Sequence, residues 1–169
     1  QSIEQYRDVD LSEDSKIPLS EWLDRWIENY VSPSVRPSTL KGYRTYIESY
    51  IKPRLGDKQV SKITAADVQA LYRELKKNGR INEDAERGYT LSGTTIRRVH
   101  GVLHQAMDAA VRERLTAKNP TDGVTLPKKE SPPKQILNDA QLERFMEEIK
   151  KDEAWHDLFY TELTTGLRR

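Results

Sequence analysis

Apolar residues recur along the chain at the three- and four-residue spacing of amphipathic helices. Leu19, Trp22, Leu23, Trp26 and Ile27 begin the first such stripe, which we predict to run on to Tyr30. A second stripe begins near Pro37, with Leu40, Tyr43, Ile47, Tyr50 and Ile51 turned inward. We expect Pro53 and Gly56 to end that second helix, because proline and glycine both disfavour helix continuation.

Two further helices have well-marked starts or lengths. Thr64 and Asp67 have the spacing of a capping box, and Ile63 and Val68 that of a hydrophobic staple. The stripe of this third helix is Val68, Leu71, Tyr72 and Leu75, and Gly79 ends it. A polar stretch over 79–93 predicts a loop with room for a short hairpin. The fourth helix covers about 92–115, and its buried face is Ile96, Val99, Leu103, Met107 and Ala110.

A proline-containing stretch separates these helices from a second helical region. Residues 126–136 contain three prolines and no periodicity, which indicates an extended linker. Asn138 and Gln141 then form a second capping box, followed by Leu142, Phe145, Met146 and Ile149 as an inward stripe. A last helix with Trp155, Leu158, Phe159 and Leu163 leads to Gly166. We predict domain bounds of 17–125 and 137–169.

Composition restricts the class of protein. Charged residues make up 33% of the chain, and no apolar run reaches the length of a membrane span. The chain has no Cys, which excludes disulfides and cysteine-ligated zinc and suits a cytoplasmic protein. Net charge is uneven: residues 17–127 hold 18 Lys and Arg against 13 Asp and Glu, whereas 1–16 and 128–169 are acidic. A basic block is the footprint expected for an anionic partner.

The polar faces of helices two and four carry groups that suit duplex DNA. Short hydroxyls, arginines, an amide and a close-approach glycine match the requirements of a phosphate row or a groove. The candidate DNA-contacting residues are Ser38, Thr39, Lys41, Arg44, Thr45, Thr94, Thr95, Arg97, Arg98, His104 and Gln105. Ordinary solvated helix faces have similar compositions, so this interpretation stays open beside the DNA one.

Histidines on helix four raise the question of a metal. His100, His104 and Asp108 follow each other at four-residue intervals, but the glutamate of the zinc-protease motif is missing and Asp108 drifts off the face. We therefore expect no metal site and no cofactor. An interhelical or DNA-facing edge accounts better for the two histidines.

The chain ends on "TTGLRR". Gly166 suits the left-handed residue that ends a helix, and Arg168 would stand at the start of the next element. An arginine at a helix start binds phosphate in many proteins, although a solvated turn explains the same letters.

The order of motifs, more than any one of them, carries a family resemblance. "STLKGYRTYI", "IKPRLG", "KITAADV", a helix ending in "KNP", the linker and "TTGLRR" follow in turn. Over about residues 17–169 the chain resembles the tyrosine recombinase family, specifically the phage and conjugative-transposon integrases. The resemblance implies an all-α fold: a four-helix SAM-like core-binding domain, a linker, and the first two helices of a truncated catalytic domain. It also implies that residues 1–16 are a remnant of the linker from an upstream arm-binding domain.

The same resemblance implies roles for individual residues. Helices two and four would face the DNA of a recombination half-site, and the linker with Lys128, Lys129 and Lys134 would cross it. Arg168 matches the first catalytic arginine of the family, which stabilises charge on the scissile phosphate. Such recombinases cut and rejoin DNA through a phosphotyrosine. The nucleophilic tyrosine lies beyond this motif in the family, so we expect these 169 residues alone to be inactive.

The resemblance also implies partners: duplex DNA, further copies of the intact enzyme on DNA, and an excision factor. Two other functions remain open at this stage. One is a non-catalytic helical DNA-binding or regulatory module, and the other is a protein-interaction domain with an incidental basic face.

Overall fold

The computed structural model describes residues 13–82, 88–129, 136–151 and 155–166. The chain divides into two compact units, Gln1–Glu130 and Ser131–Arg169. The described part of the first unit is helical and contains no strand, and an isolated bridge joins Pro18 to Gln59. Its main helices are α1 (Leu19–Trp26), α2 (Pro37–Tyr46), α3 (Lys52–Leu55), α4 (Ala65–Asn78) and α5 (Gly93–Arg112). Short 3₁₀ turns cover Glu13–Lys16 and Val60–Lys62.

A π-helical turn follows each of the first two helices. Ile27–Val31 extends α1, and Ile47–Ile51 joins α2 to α3, so α2 and α3 form one continuous rod. The wider turn shifts the buried stripe by one position, which places Val31 in the core and leaves Tyr30 at 41% exposure. The prediction that Tyr30 continues the buried face is therefore wrong.

Pro53 does not end the second helix, contrary to the prediction. It stands in the first turn of α3, where a missing N–H is tolerated because the π turn precedes it. The Arg54 side chain supplies a replacement donor: its Nη1 donates to the carbonyls of Ser49 and Tyr50, at 3.4 Å each. The helix ends at Gly56, which the prediction also named.

The predicted capping boxes are confirmed. Thr64 N donates to Asp67 Oδ2 at 2.8 Å, and Asp67 N donates to Thr64 Oγ1 at 3.3 Å. Asn138 and Gln141 exchange the equivalent bonds at 3.0 and 2.9 Å at the start of the helix Asp139–Ile149. The Lys58 ammonium and the Thr64 hydroxyl bond the Asp67 carboxylate, which lowers its pKa to about 2.

The first unit has a continuous hydrophobic core. The predicted stripes of α4 and α5 are buried throughout, and α1 contributes Leu19, Trp22, Leu23 and Trp26. Trp22 Nε1 donates to the carbonyl of Ala106 at 2.9 Å, so the indole is buried with its one polar atom bonded.

The second unit consists of α6 (Asp139–Ile149) and α7 (His156–Thr165). Phe145 and Phe159 meet edge to face with ring centroids 6.0 Å apart. Among its described residues only Ile149 is a buried hydrophobic residue, whereas Leu142, Phe159 and Leu163 are 37–42% exposed. Gly166 ends α7 in the left-handed conformation with φ of 64°, as predicted.

Some predicted features lie outside the described residues: most of the 1–16 segment, the hairpin in the 79–93 loop, Lys134 and Arg168. The domain and linker bounds given above stay a prediction. Within the part of the chain that the structure describes, no helix is both long and apolar enough to span a bilayer.

Candidate nucleic-acid interface

The two helices predicted to contact DNA lie side by side. The Tyr43 hydroxyl on α2 donates to Gln105 Oε1 on α5 at 3.2 Å. Behind this bond the Tyr43 ring stacks on Trp26, with centroids 6.0 Å apart and planes 12° from parallel. Aromatic packing from the core therefore fixes the distance between α2 and α5, and their outer faces form one surface.

On α5 this surface is a stripe with Thr94, Arg98, Gly101 and Gln105 on the same side. Arg98 and Gln105 are exposed, and Thr94 is half-buried. Arg98 forms no hydrogen bond or ion pair with any residue in the described ranges, so its guanidinium is available to an outside anion. A side-chain carbon added at Gly101 would meet no atom within 4 Å, which leaves the helix backbone accessible.

On α2 the five predicted contact residues are all exposed: Ser38, Thr39, Lys41, Arg44 and Thr45. Arg44 Nη2 lies 3.4 Å from Glu28 Oε1, and the Thr45 hydroxyl donates to the Lys41 carbonyl at 2.9 Å. The Lys41 ammonium has no partner among the described residues. Gly42, like Gly101, has open space where a side chain would begin.

Thr95 and Arg97 lie at the beginning of α5. Thr95 N donates to Ser92 Oγ at 3.2 Å, which caps the helix. Arg97 Nε donates to the Pro127 carbonyl at 2.8 Å, so one of its donors is used within the unit. Lys128 and Lys129 follow directly and are exposed. The structure therefore brings Arg97 and the two lysines to one corner.

His104 occupies a network rather than an open surface. Its Nδ1 lies 2.7 Å from Thr121 Oγ1, and its Nε2 lies 3.3 Å from Asp108 Oδ2. The Thr121 hydroxyl donates to Asn119 Oδ1 at 2.6 Å, and Asn119 Nδ2 lies 3.2 Å from the same His104 nitrogen. The Nδ1 contacts thus hold the segment after α5 in place, whereas Nε2 faces Asp108 on the same helix. A DNA contact by His104 stays a prediction, and the network gives the residue a structural role.

The same network bears on the question of a metal. His104, Asp108 and Asp122 have ligand atoms within 4.8 Å of one another, so the residues that meet are not the trio expected from helical spacing. Asn119 Nδ2 donates to Asp108 Oδ1 at 2.6 Å, which shows that a protein group already bonds this carboxylate.

His100 faces the other way, toward α4. Its Nδ1 lies 2.8 Å from the Tyr72 hydroxyl, and its ring stacks on His104 with centroids 5.6 Å apart. Burial, followed by the neighbouring His104, lowers the pKa of His100 below its usual range. The neutral ring is therefore the form that the fold favours.

Sequence reasoning missed several residues of this region. Arg36, just before α2, and Arg112, on the last turn of α5, are exposed cations. A signal was present for Arg112, which continues the spacing of Arg98 and Gln105 on α5, whereas Arg36 precedes α2 in extended backbone. Gln69 on α4 bonds the backbone of Thr125, 56 residues away, and no local pattern indicates such a pairing.

Known proteins resemble this chain in sequence and in fold. Residues 19–76 match the family model described as phage integrase, N-terminal SAM-like domain. The phage integrase SAM-like domain from Moorella thermoacetica, solved by solution NMR, is 34% identical over 71% of this chain and 93% of its own, with a TM-score of 0.53. No curated protein sequence matches the chain.

Longer solved proteins share the fold. The Tn1549 transposon integrase in complex with circular intermediate DNA has a TM-score of 0.73 at 22% identity, over 90% of this chain and 46% of its own. A lambda integrase dimer bound to a COC′ core site has a TM-score of 0.73 at 18% identity, over 92% and 41%. The chain thus spans less than half of these integrases. From the SAM-like match and the NMR relative together, the chain belongs to the phage integrase family of tyrosine recombinases.

Proposed function

We propose that the first unit grips duplex DNA of a recombination half-site through the joint surface of α2 and α5. The carrying observation is the pairing of these helices through Tyr43 and Gln105. The cations Lys41 and Arg98, which have no partner among the described residues, lie on their outer faces. Open backbone at Gly42 and Gly101 would let a phosphate row approach closely. The solved relatives named above include integrases bound to DNA, which supports the same partner.

We further propose that the second unit begins the catalytic domain. Its α7 ends in the left-handed Gly166, directly before the Leu-Arg-Arg that closes the sequence. In the longer recombinase Arg168 would neutralise charge that accumulates on the scissile phosphate. The linker over 126–136, including Lys134, would pass the DNA between the units, and copies of the intact enzyme would associate there. An excision factor and strand cleavage belong to that longer protein.

The binding proposal is tested by removing the two unpartnered cations together. Lys41→Ala with Arg98→Ala should weaken binding to a short duplex and reduce the slope of log K against log salt by about 1.8, as for two lost phosphate contacts. A matched control is Arg25→Ala with Lys62→Ala, which removes the same charge from other exposed positions; Arg25 pairs with Glu21 at 2.6 Å.

Fluorescence anisotropy at several salt concentrations measures both quantities. If the two double variants have the same slope, the α2–α5 surface is not the DNA site. If the unsubstituted chain shows no binding at low salt, the first unit is a protein-interaction domain instead.

Arg168 requires a cleavage assay on the longer recombinase. Arg168→Lys keeps the charge but loses the planar pair of donors, so we expect half-site binding to persist and strand cleavage to slow by about 10²–10³. Cleavage at the original rate on a suicide substrate would show that Arg168 is an ordinary turn residue.

A further inference from the structure

The segment after α5 lies folded back against its own unit, and it includes 126–129, the first part of the predicted linker. Val124 and Leu126 pack against the hydrophobic core. Between them, Thr125 N donates to Gln69 Oε1 at 2.8 Å, and Gln69 Nε2 donates to the Thr125 carbonyl at 3.2 Å. One side-chain amide thus bonds both backbone groups of Thr125, as a neighbouring strand would do.

Two more contacts fix the next residues. The Pro127 carbonyl accepts from Arg97 Nε at 2.8 Å. The Lys128 carbonyl lies against Gly93, where an added Cβ would come within 2.3 Å of its oxygen. Because that atom belongs to the backbone, any side chain at Gly93 would push the segment away. We call residues 124–129 the strap.

The strap fixes the backbone positions of two lysines. Lys128 and Lys129 are exposed, and neither forms a hydrogen bond or ion pair with a residue in the described ranges. Contacts at Thr125, Pro127 and Lys128 fix the backbone from which the two lysine side chains extend. In a free linker this backbone would sample many positions. Holding a backbone residue in place costs conformational entropy. Where folding has already ordered the strap, less of that cost remains for binding.

We infer that Gln69 is a positioning residue: it docks the strap so that Lys128 and Lys129 stand beside Arg97 and contact DNA phosphates as a fixed part of the α2–α5 surface. This inference rests on the proposed DNA-binding function. The alternative is that the strap only covers apolar surface between α4 and α5. In that case Gln69 would affect stability without altering what the lysines contribute to binding.

A double-mutant cycle separates these two possibilities. The four proteins are the unsubstituted 169-residue chain, Gln69→Ala, Lys128→Ala with Lys129→Ala, and all three substitutions together. In the unsubstituted background, losing both lysines should reduce the salt slope by about 1.8 and binding to a short duplex by roughly tenfold at moderate salt. In the Gln69→Ala background the same loss should cost threefold or less. Equal fold-losses in the two backgrounds would overturn the inference.

Limited trypsin digestion without DNA gives a second readout. Cleavage at the Lys128–Lys129 bond should accelerate at least severalfold in Gln69→Ala, whereas cleavage at Arg25 should not change. Gln69→Glu is the conservative variant, because a carboxylate still accepts from Thr125 N but cannot donate to the Thr125 carbonyl. Its tryptic cleavage rate should lie between the rates of the unsubstituted chain and of Gln69→Ala, and so should its fold-loss of binding when the lysines are removed. It also serves for both readouts if Gln69→Ala does not fold.

The two proposals fail in different ways. If the unsubstituted chain binds no duplex, the proposed function fails and the phosphate contacts of the lysines fail with it. The tryptic rates then still decide whether Gln69 docks the strap. If DNA binds but neither the cycle nor the digestion responds to Gln69, only the positioning role is wrong.

Discussion

The two units have the same local helix signals and very different burial. Each contains a complete capping box and an apolar stripe at helical spacing. In the first unit the stripes of several helices face one another, and Leu19, Leu75 and Leu103 have no exposed surface. In the second, two helices cover little more than Ile149 among their described residues. The amphipathic pattern therefore specifies which face of a helix is apolar. That face is buried only where other helices pack against it from several sides.

The largest expected effect tests this difference with the same substitution in both units. Leu103→Ala should lower the free energy of unfolding by about 3 kcal/mol, because it removes a fully buried side chain and leaves a cavity. Leu163→Ala, at a side chain that is 42% exposed, should cost less than about 1 kcal/mol. Urea unfolding followed by circular dichroism measures both. Similar losses would mean that the second unit contributes a real core.

The capping boxes offer a smaller comparison. Thr64→Ala should cost about 1 kcal/mol, because the cap fixes a helix that packs on the core. Asn138→Ala should leave the main unfolding transition unchanged, since α6 contributes little to it. A shift of that transition by Asn138→Ala would show that α6 does contribute to it.

Acidification distinguishes the two capping boxes, because only the Thr64–Asp67 box contains a group that titrates. Asp67 has a folded pKa of about 2, lowered chiefly by its bond to Lys58 and next by Thr64, against an ordinary value of 3.8. The carboxylate therefore stabilises the fold above about pH 4, and this contribution is lost as the pH falls toward 2. Asp67→Asn should flatten the pH dependence of stability in that window. An unchanged profile would show that the carboxylate has no net effect on folding.

The smallest effect concerns an uncovered surface in the first unit. Gly101→Ala places a methyl group in open space within a helix, so it should raise the free energy of unfolding by up to about 1 kcal/mol. It should also weaken DNA binding, because the methyl group obstructs close approach. Gly79→Ala is the contrasting control: its Cβ would meet the Leu75 carbonyl at 2.4 Å and should destabilise the unit. Gly101→Ala with unchanged DNA affinity would show that nothing approaches α5 at this point.

The positions of the helices could largely be predicted, because their signals act within one or two turns. Thr64 and Asp67, Asn138 and Gln141, and Gly166 all stand where local chemistry places them. Part of the α2–α5 surface could also be predicted. Lys41, Arg98 and Gln105 lie opposite buried stripes, so the period that locates the core also locates its reverse side.

The sequence by itself determined an all-helical chain, its helix starts and the faces turned inward. Tertiary structure decided what those faces meet. The π turn that buries Val31 in place of Tyr30, the network around His104 and the bond from Gln69 to Thr125 each depend on groups brought together by packing. Helical signals are local because a helix bonds residues four apart. A side-chain bond across 56 residues is set only when the core has fixed both backbones.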